Sequence, residues 1–291
     1  MTEHDTDIAV IGAGIIGIAT AYFLKKADPR LKVTLIDQGQ PMAFTSAQSG
    51  ENYRNWWPHP LIKRFTDHSI DLMEAIAGET DNRINMTRSG YVLATRMLDV
   101  DSLASALFAG YGDDPDNNIR IHYDSTSATY APAGFEQWQA APSGVDMLCG
   151  EALIKKHYPW YGADLRTLVH IRRAGMIDSQ QMGQFMLEQF RQWGGKRIQA
   201  QLTGVEVKRG FILIFNDGEE KLHTAKAVNA TGPFLNDVAN LFGVDLPVHN
   251  VLQQKIAFED VAGAIPRQMP FSIDLDSQSI DWGEEERELL L

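Results

Sequence analysis

Cysteine is nearly absent. Cys149 is the only one in 291 residues, so no internal disulfide can close and no thiolate cluster awaits a metal. A lone cysteine of this kind reads as a small, half-buried apolar residue. Long apolar runs are missing too, and none approaches the ~20 residues that cross a bilayer. Positive charge is scarce. Lys and Arg number 26 against 38 Asp and Glu, a net charge of −12. That balance argues against nucleic acid or an anionic membrane as the main partner. Residues 1–7 are polar and acidic, and an apolar strand follows at once. No signal or transit peptide is expected there, so a cytoplasmic location is the default. Hydrophobic residues make up 44% and charged residues 22%, as in a soluble globular protein of one large or two ordinary domains.

What the sequence does have is a glycine-rich turn near its start. Residues 8–11 are a short apolar run and read as a buried strand; residues 15–24 read as a helix. Between them lies Gly12-Ala13-Gly14-Ile15-Ile16-Gly17, a G-x-G-x-x-G pattern. In such a motif Gly12 makes the tight turn, Gly14 admits a pyrophosphate to the backbone, and Gly17 lets the helix pack on the strand. The N–H groups of the first helical turn, at Ile15 and Ile16, then face the phosphates. A second strand, residues 32–36, ends at Asp37, followed by Gln38. An acid about 20–25 residues past the glycines is where a ribose hydroxyl needs an acceptor, and it disfavours a 2′-phosphate. NADP is thereby disfavoured. The motif does not separate FAD from NAD.

Further along, residues 43–55 form a loop of small and polar residues that includes Thr45, Ser46 and Ser49. Such a loop can wrap a polar ligand or lie solvated on the surface. Residues 58–78 read as a long helix whose apolar residues, Leu61, Ile62, Phe65, Ile70, Leu72, Met73 and Ile76, suit core packing. His59 and His68 have no partner at a metal-ligand spacing. A strand is expected at 89–95, a helix at 101–109 and a loop at 110–118. One or two strands fall within 119–144, and a helix at 150–158. Residues 179–193 read as a helix capped by Asp178 or Ser179 and ended by Gly194-Gly195. Strands at 197–201, 204–208, 211–215 and 222–229 follow, with turn signals at 209–210 and 216–218. They describe a meander returning to a buried strand. That strand runs into Ala230-Thr231-Gly232-Pro233 and a helix at 234–242, a second strand–glycine–helix unit. A strand at 248–258 is expected to open another sheet.

Four motifs in this order resemble the D-amino-acid oxidase-like, or glycine/sarcosine oxidase-like, superfamily of FAD-dependent oxidoreductases. They are residues 7–17 with Asp37, the loop from Thr45-Ser46 to Arg54, Gly175-Met176-Ile177-Asp178 with its helix, and Val228-Asn229-Ala230-Thr231-Gly232-Pro233-Phe234. The last is similar to the family's V-N-A-A-G-P-W segment. The resemblance selects FAD. It implies an α/β fold: a Rossmann-like FAD-binding domain with a parallel sheet and β-meander, interleaved with a substrate domain carrying a mostly antiparallel sheet. The FAD domain would take residues 1–85 and 150–247, the substrate domain 86–149 and 248–291. The cofactor residues it implies are Gly12, Gly14, Ile15, Ile16, Gly17, Asp37, Gln38, Thr45, Ser46, Ser49, Val207, Ala230 and Gly232.

The chain departs from the family pattern at several points. Glu51-Asn52 replace a glycine pair before Arg54, and Ser179 replaces a proline after Asp178. No histidine lies between Asp37 and Arg54, so FAD is expected to be non-covalent. The resemblance also implies a further C-terminal stretch, which makes this chain a truncated form of the family fold, ending in the start of a helix. The implied chemistry is oxidation of a carbon–nitrogen bond in a small amine or N-methyl amino acid, by hydride transfer to flavin N5. Oxygen or an electron-transfer protein would reoxidise the flavin. Arg54 is the candidate for positive charge near the flavin. Lys255, with Gln254, stands on the strand expected at 248–258. Two alternatives stand beside this: a related dehydrogenase acting on a carbon–oxygen bond, and a flavin-binding or assembly protein without turnover.

Overall fold

The computed structural model describes residues 3–112, 114–123, 129–132, 134, 138–139, 141–218, 220–257, 259–277, 279 and 283–289. In chain order the elements are β1 (Glu3–Ile11), α1 (Ile15–Ala27), β2 (Val33–Asp37), β3 (Asn52–Arg54), α2 (Pro60–Glu79), β4 (Tyr91–Thr95) and α3 (Asp101–Tyr111). Next come α4 (Pro115–Asn118), β5 (Ile119–Tyr123), β6 (Val145–Cys149), α5 (Glu151–His157), β7 (Thr167–Ile171), β8 (Ala174–Met176) and α6 (Ser179–Gln192). The last are β9 (Lys196–Gln199), β10 (Leu202–Lys208), β11 (Gly210–Phe215), β12 (Glu220–Asn229), α7 (Leu235–Leu241), β13 (Phe271–Asp274) and α8 (Glu284–Leu289). The chain forms two compact units, Met1–Glu51 with Asp178–Ala257, and Asn52–Ile177 with Phe258–Leu291. Residues 52–85 and 150–177, assigned to the cofactor domain from sequence, lie in the second unit. The pairing of β3 with β8 holds their near ends there.

The first unit is built on a six-stranded sheet of order β10-β11-β12-β1-β2-β9. β12, β1, β2 and β9 run parallel, and β10, β11 and β12 form the antiparallel meander. Ala9, Val10 and Leu35 are fully buried, as expected of parallel strands covered on both faces. β9 was read as the meander's first strand, but it pairs with β2 at the far edge. Helix α1 buries Ile18, Ala21, Tyr22 and Lys25, one stripe at helical spacing. Tyr22 packs on Phe185 of α6 and stacks on Trp193 at 5.3 Å. Lys25 satisfies its buried ammonium on the carbonyls of Leu31, at 2.9 Å, and Pro29. Asp178 caps α6, its Oδ1 accepting from Gln181 N–H at 2.9 Å. Asn216 and Asp217 take left-handed φ in the last meander turn, as their types allow.

Residues 248–257 do not form the expected strand. Among the described residues no strand pairs with them. Leu252 is 86% and Ile256 87% exposed. A strand needs a neighbour to take its backbone hydrogen bonds, and no ladder forms here among the described residues.

The second unit holds a five-stranded sheet, β13-β4-β7-β6-β5, and the small β3-β8 pair. Its centre is antiparallel and its two edge pairings are parallel. One face, with Tyr91, Leu93, Val145, Met147, Val169 and Ile171, packs with Leu107 and Tyr111 of α3. The other face, with Val92, Ala94, Leu148 and Leu168, packs with Leu153 and Ile154 of α5. Cys149 is half-buried, and burial pushes its thiol pKa up. On α2, Ile70 and Ile76 are core, but Leu61, Ile62 and Phe65 are exposed. Of the strands expected within 119–144, β5 is present; residues 124–128, 133, 135–137 and 140 lie outside the described set.

Candidate cofactor site

The glycine turn sits at the carboxyl ends of the parallel strands, where open α/β sheets bind ligands. Gly12 has φ +103°, and a Cβ there would lie 2.4 Å from the carbonyl oxygen of Ala230. A Cβ on Gly17 would lie 1.8 Å from Gly12 O and 3.5 Å from Ala230 Cβ. The two strand–glycine–helix units, so far apart in sequence, are therefore pressed together. Ala230 N–H donates to Ile11 O at 2.8 Å, carrying β12 on beside β1 to this point. Asn229 shapes the following turn: its Oδ1 accepts from Thr231 Oγ1 at 2.7 Å, and its Nδ2 donates to Leu235 O at 2.8 Å.

Gly14 is the N-cap of α1 and lends it no side-chain hydrogen bond; the first turn holds no acid. Ile15 N–H donates to Ser46 Oγ at 3.0 Å. Asp37 accepts from Ala13 N–H through Oδ2 at 2.6 Å and from Gly39 N–H through Oδ1 at 2.7 Å. A carboxylate has about four acceptor directions, so two remain for a ribose diol. Gln38 is exposed next to it. Thr45 and Ser46 lie on a 3-10 turn, Thr45–Gln48. A Cβ on Gly232 would be 3.8 Å from Thr45 Oγ1, so the two loops meet. Phe44 and Phe234 pack beside them with tilted rings at 5.3 Å, both exposed. Ser49 Oγ accepts from Glu51 N–H at 3.1 Å, a local turn bond. Thus Gly12, Gly14, Ile15, Ile16, Gly17, Asp37, Gln38, Thr45, Ser46, Ala230 and Gly232 form one neighbourhood.

Val207 stands apart. Its register runs through Phe211 and Thr224 to Thr6, near the middle of β1 and six residues before Gly12. Lys255 is exposed, on the unpaired stretch, and its Nζ donates to Gln48 O. Arg54 lies in the second unit. Its guanidinium is sandwiched between the rings of Trp57, at 4.3 Å, and Tyr91, at 4.5 Å. Its buried Nε has no hydrogen-bond partner, and among the described residues no carboxylate pairs with it. Sequence reasoning missed Ala13 and Met42. Met42 takes a left-handed φ of 62°, donates its N–H to Ala13 O at 2.9 Å and packs its side chain against Gly183. No sequence signal marks a methionine for that conformation.

A helix N-terminus free of acid, a glycine that clears its approach, and an acid at the end of the second strand define a dinucleotide-binding α/β protein. Residues 7–280 match the family DAO, FAD dependent oxidoreductase, and the chain belongs to that family. The fold is similar to glycine oxidase from Geobacillus kaustophilus, at 18% identity and a TM-score of 0.63, over 84% of this chain and 60% of that one. It is also similar to L-alpha-glycerophosphate oxidase from Mycoplasma pneumoniae with FAD bound. There the identity is 17% and the TM-score 0.61, over 82% of this chain and 57% of that one. In sequence, 93 residues are 32% identical to coproporphyrinogen III oxidase of Staphylococcus aureus (strain NCTC 8325 / PS 47), 31% of this chain and 20% of that protein. The chain spans 60% or less of the length of these proteins. FAD is the family's cofactor, and by its chemistry the glycine turn could hold a pyrophosphate and Asp37 a ribose diol.

Proposed function

We propose that this chain carries the non-covalent FAD site of an enzyme that oxidises the carbon–nitrogen bond of a small amine or amino acid. The observation behind this reading is the cradle itself, with Ala230 closed against Gly12 and Asp37 open to a diol. FAD, when bound, supplies the two-electron acceptor for the C–H bond beside the nitrogen. The glycine turn and Ser46 bind and orient it. Arg54 is the fixed positive charge of the reaction. Its stacked rings hold it without neutralising it. Lys255 is the second candidate, with a flexible stem and an exposed position. The name of one structural neighbour, a glycine oxidase, supports an amine substrate; oxygen or an electron-transfer protein would be the final acceptor.

The test is a visible spectrum of the purified chain with FAD, before and after anaerobic addition of primary and N-methyl amino acids, hydroxy acids and glycerol phosphate. Bleaching by an amine supports the proposal. Bleaching only by a hydroxy compound moves the chemistry to a carbon–oxygen bond. Bound flavin that nothing bleaches leaves a binding protein without turnover.

A further inference from the structure

Glu51 is a side-chain-bearing residue in the left-handed region, with φ 59°. That conformation is disfavoured for L-residues and persists where the surroundings impose it. The constraint here is visible. Glu51 Oε1 accepts from Ser179 N–H at 2.9 Å and from Ser179 Oγ–H at 2.7 Å. Ser179 is the first residue of α6 and is buried. Its N–H is one of the helix's unpaired donors, and the Glu51 carboxylate lies at the positive end of the helix dipole.

The same helix holds the loop at two more points. Gln180 Nε2 donates to Ser46 O at 3.4 Å. Met42 packs so close to Gly183 that a Cβ there would be 2.8 Å from its sulfur. Ser46 in turn carries the Ile15 N–H at the cofactor cradle. The first turns of α6 therefore set the position of the loop that lines the cradle, and Glu51 is the charged member of the set.

Glycine at 51 would take the positive φ freely, and proline at 179 would present no N–H in need of an acceptor. Asp178 is extended, at φ −87° and ψ 100°, which a following proline tolerates. Glycine and proline need nothing from each other. Glutamate and serine do.

We propose that Glu51 is a positioning residue for the FAD loop and that Ser179 is its coupled partner. The proposal rests on the FAD reading above. It is tested on the full chain with Glu51→Ala, Glu51→Gln, Glu51→Gly, Ser179→Pro and the Glu51→Gly/Ser179→Pro double variant. FAD affinity is read by flavin fluorescence, and thermal midpoint is read without FAD. Glu51→Ala should weaken FAD by about tenfold or more, the worth of a charge-assisted hydrogen bond. Glu51→Gln keeps an acceptor oxygen and should recover most of that loss. Glycine alone orphans the buried Ser179 donors, and proline alone leaves Glu51 strained without a partner. The double variant removes both defects, so its midpoint should exceed the additive value of the two single changes.

Three results overturn the proposal: additive midpoints, a Glu51→Gln variant as weak as Glu51→Ala, or a lowered midpoint with unchanged FAD affinity. A wild-type chain that never binds FAD overturns the cofactor reading instead. The midpoint cycle then decides the pair alone, non-additivity supporting it and additivity overturning it.

Discussion

Gly90 and His170 occupy one space. A Cβ on Gly90 would stand 1.9 Å from His170 Nε2, and Gly90 has φ +92°. His170 lies fully buried on β7, where its Nδ1 faces Tyr130 Oη at 2.9 Å and its Nε2 faces Ser89 O at 3.2 Å. Gly90→Ala should therefore destabilise the chain by about 3 kcal/mol or more, through overlap and backbone strain together. Urea unfolding measures this. Adding His170→Ala should recover part of the loss, and a double variant no better than the single one would refute the shared-space account.

The same histidine makes stability depend on pH. Burial first, and then the Arg172 guanidinium, press its pKa from 6.5 down to about 3. Between those values the unfolded chain binds a proton that the folded chain does not. Stability should therefore be full above about pH 6.5 and fall as the pH drops toward 3. Between pH 7 and 4.5 the loss from this group should be about 3 kcal/mol. Urea midpoints across that range read it, and a flat profile would contradict it.

Two glycines of the turn, Gly14 and Gly17, should respond differently to alanine. Gly17→Ala puts a methyl 1.8 Å from Gly12 O and should cost the fold. Gly14 has an ordinary φ of −72°, and its Cβ would meet only Ser46 Oγ at 3.1 Å. Gly14→Ala should keep a near-native melting curve while FAD affinity drops about tenfold or more, because the methyl stands where a pyrophosphate approaches. Calorimetry and flavin fluorescence on the two variants separate folding from binding.

Arg173 holds α2 by three carboxylates at one helical stripe. Its Nη1 meets Asp67 at 3.0 Å, and its Nη2 meets Asp71 at 2.6 Å and Glu74 at 2.7 Å. Arg173→Met removes the cation these acids share; Asp67 keeps Lys63 and Glu74 keeps Arg88, while the more exposed Asp71 loses its partner. The cost should be about 1–2 kcal/mol, and an unfolding free energy within about 0.5 kcal/mol of wild type would show the clamp to be ornamental.

Much of the first unit was legible because local pattern and tertiary role agree there. Buried parallel strands are continuous apolar runs, and the glycine turn with Asp37 follows a fixed spacing. The cap at Asp178 could be read from its residue type. β6 and β7 went unread for the opposite reason. Each carries a buried polar residue at or near its middle, Asp146 and His170, which pair across the sheet. Asp146 is satisfied by Arg120 at 2.7 Å and His122 at 2.8 Å, partners that no local pattern announces. Residues 248–257 were expected to be a strand, and among the described residues no strand pairs with them. The role of Glu51 was invisible because it depends on Ser179, 128 residues away.

The placement of β1 at the middle of its sheet has a cost in time. β2 follows it closely, but its other neighbour includes Thr224, which bonds Asp7 O from 217 residues away. At about 5–20 residues per second, a ribosome needs roughly 10–40 s to bridge that gap. For that interval one edge of an apolar strand is synthesised, unpaired and open to other chains. The yield of soluble protein should thus depend on how fast the chain is made, and on whether a chaperone shields that edge until its second neighbour emerges.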